Sequence, residues 1–227
     1  MEPALSDDWT YTPSPGALAV LHHDRDLFVV DKPSGLLSVP GRDPAHRDSA
    51  TVRATEQSEG RVFAVHRLDM DTSGVLVFAT RRKSERELFR QFRERLVTKR
   101  YVAWVAGQVP QDRGLIELPL RREQGRPRSM VHPDGRPART RYEVLARRPA
   151  ATCLALHPET GRSHQLRVHC LALGHPILGD RFYAPPSTIG MAPRLMLHAE
   201  RLNILHPWSG QPLEVHAPSP FSLSEAP

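Results

Sequence analysis

Residues 62–79 read VFAV, then HRLDMDTSG, then VLVFA. Two short apolar runs, 62–65 and 75–79, flank nine mostly polar residues. Runs of this length, rich in valine and phenylalanine and bounded by turn-forming residues, predict buried strands. A loop tied at both ends to buried strands is a rigid platform for polar groups. This one offers a guanidinium, Arg67, and two carboxylates, Asp69 and Asp71. Aspartate in such a place also serves as a turn former, so the loop taken alone leaves turn and reactive site both open.

Outward from that loop, the patterning predicts more strands than helices. Residues 27–30 (LFVV) form a strand closed by Lys32-Pro33-Ser34-Gly35, and a second turn, SVPG at 38–41, follows at once. Residues 48–59 predict a helix capped by Asp48 or Ser49. Ser84 and Glu87 have capping-box spacing, and Leu88, Phe92 and Leu96 recur every four residues, so an amphipathic helix is expected there with arginines outside. Strands are expected at 101–105, 139–145, 153–156, 195–202 and 213–216, with Gly-, Pro- and Arg-rich loops and short strands over 107–135. Residues 163–173 predict a helix ended by Gly174, with Leu166, Cys170 and Leu173 on one side. Its start, TGRSHQLRVH at 160–169, gathers Arg162, His164, Gln165 and Arg167, a pattern that also suits a phosphate at a helix N-terminus. The fold class expected is α+β with a largely antiparallel sheet. Residues 1–15 are expected to be a flexible arm, 16–220 one catalytic domain, and 221–227 a tail.

The charge is unevenly spread. Residues 81–100 hold nine Lys or Arg against three Glu, and 121–148 hold nine Arg against three acids; each stretch is +6 in a chain whose net charge is +6, leaving −6 elsewhere. Such clustering favours a track for an anionic polymer, and 28 of the 31 cations are arginine, whose fork suits phosphate. No apolar run approaches the ~20 residues of a membrane helix, and the acidic, polar start lacks a secretory pattern, so a cytoplasmic protein without membrane attachment is expected. Cys153 and Cys170 form no Cys-x-x-Cys pair and are expected as buried thiols. The scattered histidines contain no His-Glu-x-x-His, and no metal site is expected.

HRLDMDTSG, Lys32-Pro33-Ser34-Gly35, SVPG, Lys99-Arg100-Tyr101, TGRSHQLRVH, LGHPILGDRFY at 173–183 and Leu197-His198-Ala199 together resemble the RluA family of pseudouridine synthases across nearly the whole chain. LLSVPGR, ERELFRQFRER and GDRFYA look most like the bacterial RluA branch that modifies tRNA and 23S rRNA; that branch has no RNA-binding S4 module. The resemblance implies a mixed, mainly antiparallel sheet with flanking helices and a central RNA-binding cleft. It implies isomerisation of uridine to pseudouridine in structured RNA, in a tRNA anticodon stem-loop and a 23S rRNA hairpin, or alternatively in one such target. It implies no cofactor, because the reaction involves no net redox change; a monomer is expected, and no protein partner is implied.

By the same resemblance Asp69 is the catalytic carboxylate. Tyr101 stacks on uracil and assists proton transfer, and Arg167 is the cation beside Asp69. Arg67 enters the RNA stack as the target nucleotide flips, Leu166 and Leu197 wall the uracil, and His66 and Arg162 complete the substrate contacts. Asp71 receives no role. Three rival readings remain testable: a glycosidase using Asp69 with Asp71, a metal-dependent nuclease using the same pair, and an RNA-binding module without catalysis.

Overall fold

The computed structural model describes residues 10–221. Strands β1 (Ala19–His23), β2 (Leu27–Lys32), β3 (Phe63–Ala64), β4 (Ser73–Ala79), β5 (Thr98–Ala106), β6 (Arg113–Glu117), β9 (Arg139–Arg148), β10 (Ala151–Pro158), β11 (Leu197–Leu205) and β12 (Pro212–His216) make one ten-stranded sheet. Its order is β1-β2-β4-β11-β5-β10-β9-β6, with β12 beside β11 and β3 beside β4. A separate hairpin joins β7 (Leu120–Arg122) to β8 (Ser129–Val131). The helices are α1 (Ala50–Gln57), α2 (Arg82–Arg93), α3 (Gln165–Ala172) and α4 (Pro186–Ile189), with a 3-10 turn at Pro44–His46. The expected mixed, mainly antiparallel architecture is what forms.

Only the β4–β11 pairing is parallel, among the described residues, and it joins the two halves of the sheet through His198↔Ser73 and Ala199↔Gly74. Gly74 permits it. Its φ is +113°, and a Cβ placed there would lie 2.2 Å from the carbonyl oxygen of Ala199. Only a residue without a side chain lets β11 come this close at the end of the HRLDMDTSG loop. All seven β4 residues are buried, which explains their unbroken apolar run. Leu76 and Phe78 pack with Phe28, Val30 and the α1 residues Ala50 and Ala54. Val75, Val77 and Ala79 pack on the other face with Leu88 of α2 and Ile204 of β11. A third core lies under α3, where Leu166 and Cys170 meet Trp104, Leu154 and Leu178.

Ser49 caps α1, its side chain accepting from the amide of Val52. The capping box expected at 84–87 does not form. The helix begins at Arg82, Ser84 lies within its first turn, and its hydroxyl donates to Asp26 Oδ1 at 2.5 Å. The core-facing serine thus has a buried acceptor to satisfy, and Glu87 pairs forward with Arg90. Leu96 is likewise not part of the apolar stripe. The helix stops at Arg93, Arg95 turns left-handed at φ 61°, and Leu96 is 47% exposed. Gln91 takes the buried place instead, exchanging hydrogen bonds with both backbone groups of Leu205.

Of the segment expected as a flexible arm, residues 1–9 lie outside those described. Tyr11, within it, is held: its hydroxyl donates to the carbonyl of Asp48 and accepts from the amide of Leu37. The tail at 222–227 also lies outside the described residues. Cys153 and Cys170 are both buried free thiols, pushed up to about 12 by burial.

Candidate active site

Between β4, β5 and the start of α3 lies a cleft of about 710 Å3, lined among others by Arg67, Asp69, Lys99, Tyr101, Arg167 and Leu197. Its size is that of a pocket for a small organic group such as one nucleoside.

The floor is the HRLDMDTSG loop, and the turns after β2 clamp it. Lys32 is fully buried, and its ammonium donates to the carbonyls of Pro33, Leu36 and Met70 at 2.7–2.8 Å. The amide of Gly35 donates to that same Met70 carbonyl, and the Ser34 hydroxyl to the carbonyl of Asp71. Ser38 donates to the carbonyl of Leu68 and accepts from its amide. The carbonyls of Leu68, Met70 and Asp71 and the amide of Leu68, which the irregular loop would otherwise leave bare, are thereby satisfied by KPSG or SVPG. Burial pushes the Lys32 ammonium down to about 7, against the pull of Asp71 and Asp69.

Asp69 projects into the cleft, half-buried, with two donors before it. Arg167 Nη1 stands 3.6 Å from Oδ2, and His164 Nε2 stands 3.9 Å from Oδ1. Arg167 is itself buried beneath Asp69. Its Nε and Nη2 donate to the two oxygens of Asp180 at 2.8 and 2.5 Å, and its guanidinium lies about 5 Å from the rings of Phe182 and Tyr183. Burial opposes the charge on Arg167, but the hydrogen bonds and charge of Asp180, with Asp69 beyond, outweigh it and hold the guanidinium above its usual range. Asp180 is closed off as well, its Oδ1 accepting from the amides of Phe182 and Tyr183.

Tyr101 lies on β5 beside Lys99, both facing the cleft. Burial, with Asp69 nearby, raises the phenol above its usual range, and burial lowers the Lys99 ammonium. Leu166 and Leu197 are buried and reach both the cleft and the core under α3. Arg67 is exposed at the mouth. Arg162 lies on the rim with its Nε donating to the carbonyl of Pro137. His66 meets the cleft as a braced wall: its Nε2 accepts from the amide of Val77, its ring stacks on Phe92, and burial with Lys99 nearby pushes it down to about 3.

Asp71 turns the other way. It pairs with Arg181 at 2.9 Å and lines a separate cavity with Ser34 and Arg194. Asp69 and Asp71 therefore do not face one bond as the glycosidase and nuclease readings require. Among the described residues, Asp24, Asp26 and His206 bring possible metal-ligating atoms within 4.8 Å of one another. Those atoms are already engaged: Asp24 Oδ2 with His22 and His206, Asp26 Oδ1 with Ser84, and His206 Nδ1 with two amides. No helix among the described residues is long and apolar enough to cross a membrane.

Residues 26–172, which include Asp69 and Arg167, match the family model for RNA pseudouridylate synthase. The chain is 53% identical over 207 residues to a protein of Escherichia coli O6:H1 called dual-specificity RNA pseudouridine synthase RluA, covering 90% of this chain and 94% of that one. A protein of the same name from Pasteurella multocida is 50% identical over 216 residues, with 93% and 98% covered. The chain belongs to the RluA family of RNA pseudouridine synthases. The synthase also superposes on human RNA pseudouridylate synthase domain containing 1, with a TM-score of 0.78 and 31% identity over 93% of this chain and 89% of that one. It is thus an isomerase converting uridine in RNA to pseudouridine.

Asp180 and Tyr183 escaped assignment from the synthase's sequence, and His164 was legible only as part of a polar helix start, although GDRFY and GRSHQLR were legible as segments. Their arrangement depends on a fork that only the folded α3 presents. The basic track is also narrower than its formal charge. Arg82, Arg90, Arg100, Arg126, Arg141 and Arg147 each pair with a carboxylate.

Proposed function

We propose that Asp69 is the carboxylate that reacts with the target nucleotide, and that the substrates are a tRNA anticodon stem-loop and a hairpin of 23S rRNA. One observation carries the assignment of Asp69: Arg167 spends two nitrogens on Asp180 and turns the third toward Asp69 at the base of the cleft. A carboxylate held half-open before a buried, fixed cation is prepared to react at a sugar carbon without losing its orientation.

Two routes use it. In one, Asp69 attacks C1′ of the ribose and the N1–C1′ electron pair leaves with uracil. In the other, Asp69 removes the C2′ proton and the same bond breaks to give a glycal. In both, uracil turns within the cleft and C5 bonds to C1′: in the first route it displaces the Asp69 carboxylate from C1′, in the second C2′ takes its proton back from Asp69. The C5 proton is then lost and N1 gains one, with no net oxidation. Tyr101 stacks on the base and Leu166 and Leu197 wall it. Arg67, exposed at the mouth, fills the gap in the RNA stack when the nucleotide leaves it. The relatives called dual-specificity RNA pseudouridine synthases and readout by shape support two targets. The proposed site of action on these RNAs is the cytoplasm, and the enzyme is proposed to act there as a monomer.

The test is Asp69→Asn, which keeps shape and removes charge. Tritium release from RNA carrying C5-labelled uridine should stop while the variant still binds that RNA. Release within about tenfold of wild type, a barrier change of only ~1.4 kcal/mol, would overturn the assignment.

A further inference from the structure

His164 opens α3 in a conformation that few residues with side chains adopt. Its φ and ψ are 55° and 21°, the left-handed region. Left-handed backbone at such a residue carries a cost and persists where the surroundings over-determine it. Here they do. The ring is largely buried and sits edge-on to Tyr183 with Phe182 beside it. Its Nδ1 lies 2.7 Å from the Tyr183 hydroxyl, and its Nε2 points at Asp69 Oδ1.

The hydrogens of this chain can be assigned from its far end. The amide of Ser129, on β8, donates to the Tyr183 oxygen at 2.8 Å. The phenol has one proton of its own, and His164 Nδ1 is the acceptor at hydrogen-bond distance. A neutral imidazole that accepts at Nδ1 carries its proton on Nε2. That is the nitrogen facing Asp69. Burial lowers the imidazole's basicity; Asp69 and Asp180 oppose this, and Arg167 and Arg122 reinforce it. Burial, the largest of these influences, prevails together with the arginines over the carboxylates and favours the neutral ring. Tyr183 is pushed up to about 12 by burial, so its hydroxyl stays a donor.

We propose that His164 is a positioning residue, locked by Tyr183 with its proton on Nε2, whose N–H closes on Asp69 Oδ1 when RNA is bound and fixes the carboxylate opposite Arg167. The 3.9 Å gap is too long for a hydrogen bond, and catalytic contacts of this kind often tighten as substrate binds. The chain Ser129–Tyr183–His164–Asp69 also ties the arginine-bearing β7–β8 hairpin to the reacting group. Leu120, Ala138, Val168 and Tyr183 seat that hairpin on α3 in a small core of their own.

This inference rests on Asp69 being the reacting carboxylate. The experiment measures single-turnover tritium release against pH, and RNA affinity, for the full-length wild type, His164→Ala, His164→Gln, Tyr183→Phe and the Ala/Phe double variant. His164→Ala should slow release about ten- to a hundredfold, the range for groups that orient a reacting one, with affinity unchanged. Its acid limb should move to higher pH, because a lost donor no longer favours the ionised carboxylate. His164→Gln should recover part of the rate through its amide N–H. Tyr183→Phe should slow release alone yet add nothing to His164→Ala, because both act through one chain. Wild-type rate with an unmoved acid limb in folded His164→Ala would overturn the proposal, as would effects of the two variants that multiply. Should His164→Ala fail to fold, an unmoved acid limb in Tyr183→Phe overturns it equally. An active Asp69→Asn would instead overturn the reading beneath it.

Discussion

Arg167 and Asp180 share two hydrogen bonds in the interior, and the third nitrogen of the same guanidinium faces Asp69. Asp180 is therefore the counterion that orients the cation beneath the site. Its four acceptor contacts, two from Arg167 and two from backbone amides, leave it nothing for substrate. Without it, Arg167 would be a buried cation with Asp69 as its nearest remaining acid.

Asp180→Ala should consequently damage stability and activity together. Removing one partner of a buried ion pair costs about 3–5 kcal/mol, which in a protein of this size lowers the melting temperature by on the order of 10 °C. Asp180→Asn, which keeps the shape and part of the hydrogen bonding, should melt higher than Asp180→Ala yet release tritium more slowly than wild type. A wild-type melting curve for Asp180→Ala would contradict the interior pairing.

Gly74→Ala tests the parallel junction. The substitution puts a methyl group against the carbonyl of Ala199 and forces an L residue to φ +113°, so the β4–β11 seam must open. Loss of soluble protein, or a fall in melting temperature larger than for Asp180→Ala, is expected. Gly210 is the control: its φ is +69°, but nothing lies within 4 Å of the added carbon. Gly210→Ala should cost about 1 kcal/mol, the ordinary penalty of left-handed backbone.

These two sites show what could be read in the chain and what could not. The strand at 75–79 was legible because burial on both faces leaves an unbroken apolar run, and the helix expected at 48–59, which forms as Ala50–Gln57, because Ser49 sits where a cap belongs. Ser84 misled because capping-box spacing says nothing of Asp26, 58 positions earlier, which claims its hydroxyl. Leu96 kept the four-residue period after the helix had ended at Arg93. Asp69 was legible through its motif, whereas the outward turn of Asp71 was not, since a loop has no fixed alternation of sides. Asp180 lies 13 positions from Arg167, and only folding shows that the two share a fork.

Lys32 supplies a prediction about pH. Its folded-state value of about 7 lies below the ordinary lysine value of 10.5. Between those two values the unfolded chain binds more protons at this site than the folded one, so Lys32 makes stability rise with pH across that window. Below about 7 both states are protonated and the slope from this group vanishes. Lys32→Met lacks the titration and leaves three carbonyls without their donor, so it should be less stable throughout. The difference between wild type and Lys32→Met, from denaturant melts at pH 7 to 10, should widen with pH. Parallel curves would show that the ammonium titrates in its ordinary range.

Salt dependence distinguishes cations that face the cleft from those held within a helix. Arg95 lines the cleft, whereas Arg90 holds Glu87 at 2.7 Å and Glu94 at 2.6 Å on the surface of α2. A cation that meets a phosphate releases a counterion, so log affinity falls with log salt by about 0.7 to 0.9 unit per contact, from single strand to duplex. Arg95→Gln should flatten that slope by about 1, and Arg90→Gln should leave it nearly unchanged because its charge is already answered within the helix. The measurement is binding of the tRNA anticodon stem-loop and of the 23S rRNA hairpin, each from 50 to 200 mM salt, a span over which ~6–10 phosphate contacts are resolved as large affinity losses. Both RNAs should give the same ranking of variants, because one set of cleft arginines grips both backbones. Pseudouridine should then be mapped in each RNA. Modification of only one, with both bound, would confine the enzyme to a single target while leaving the role of Asp69 intact.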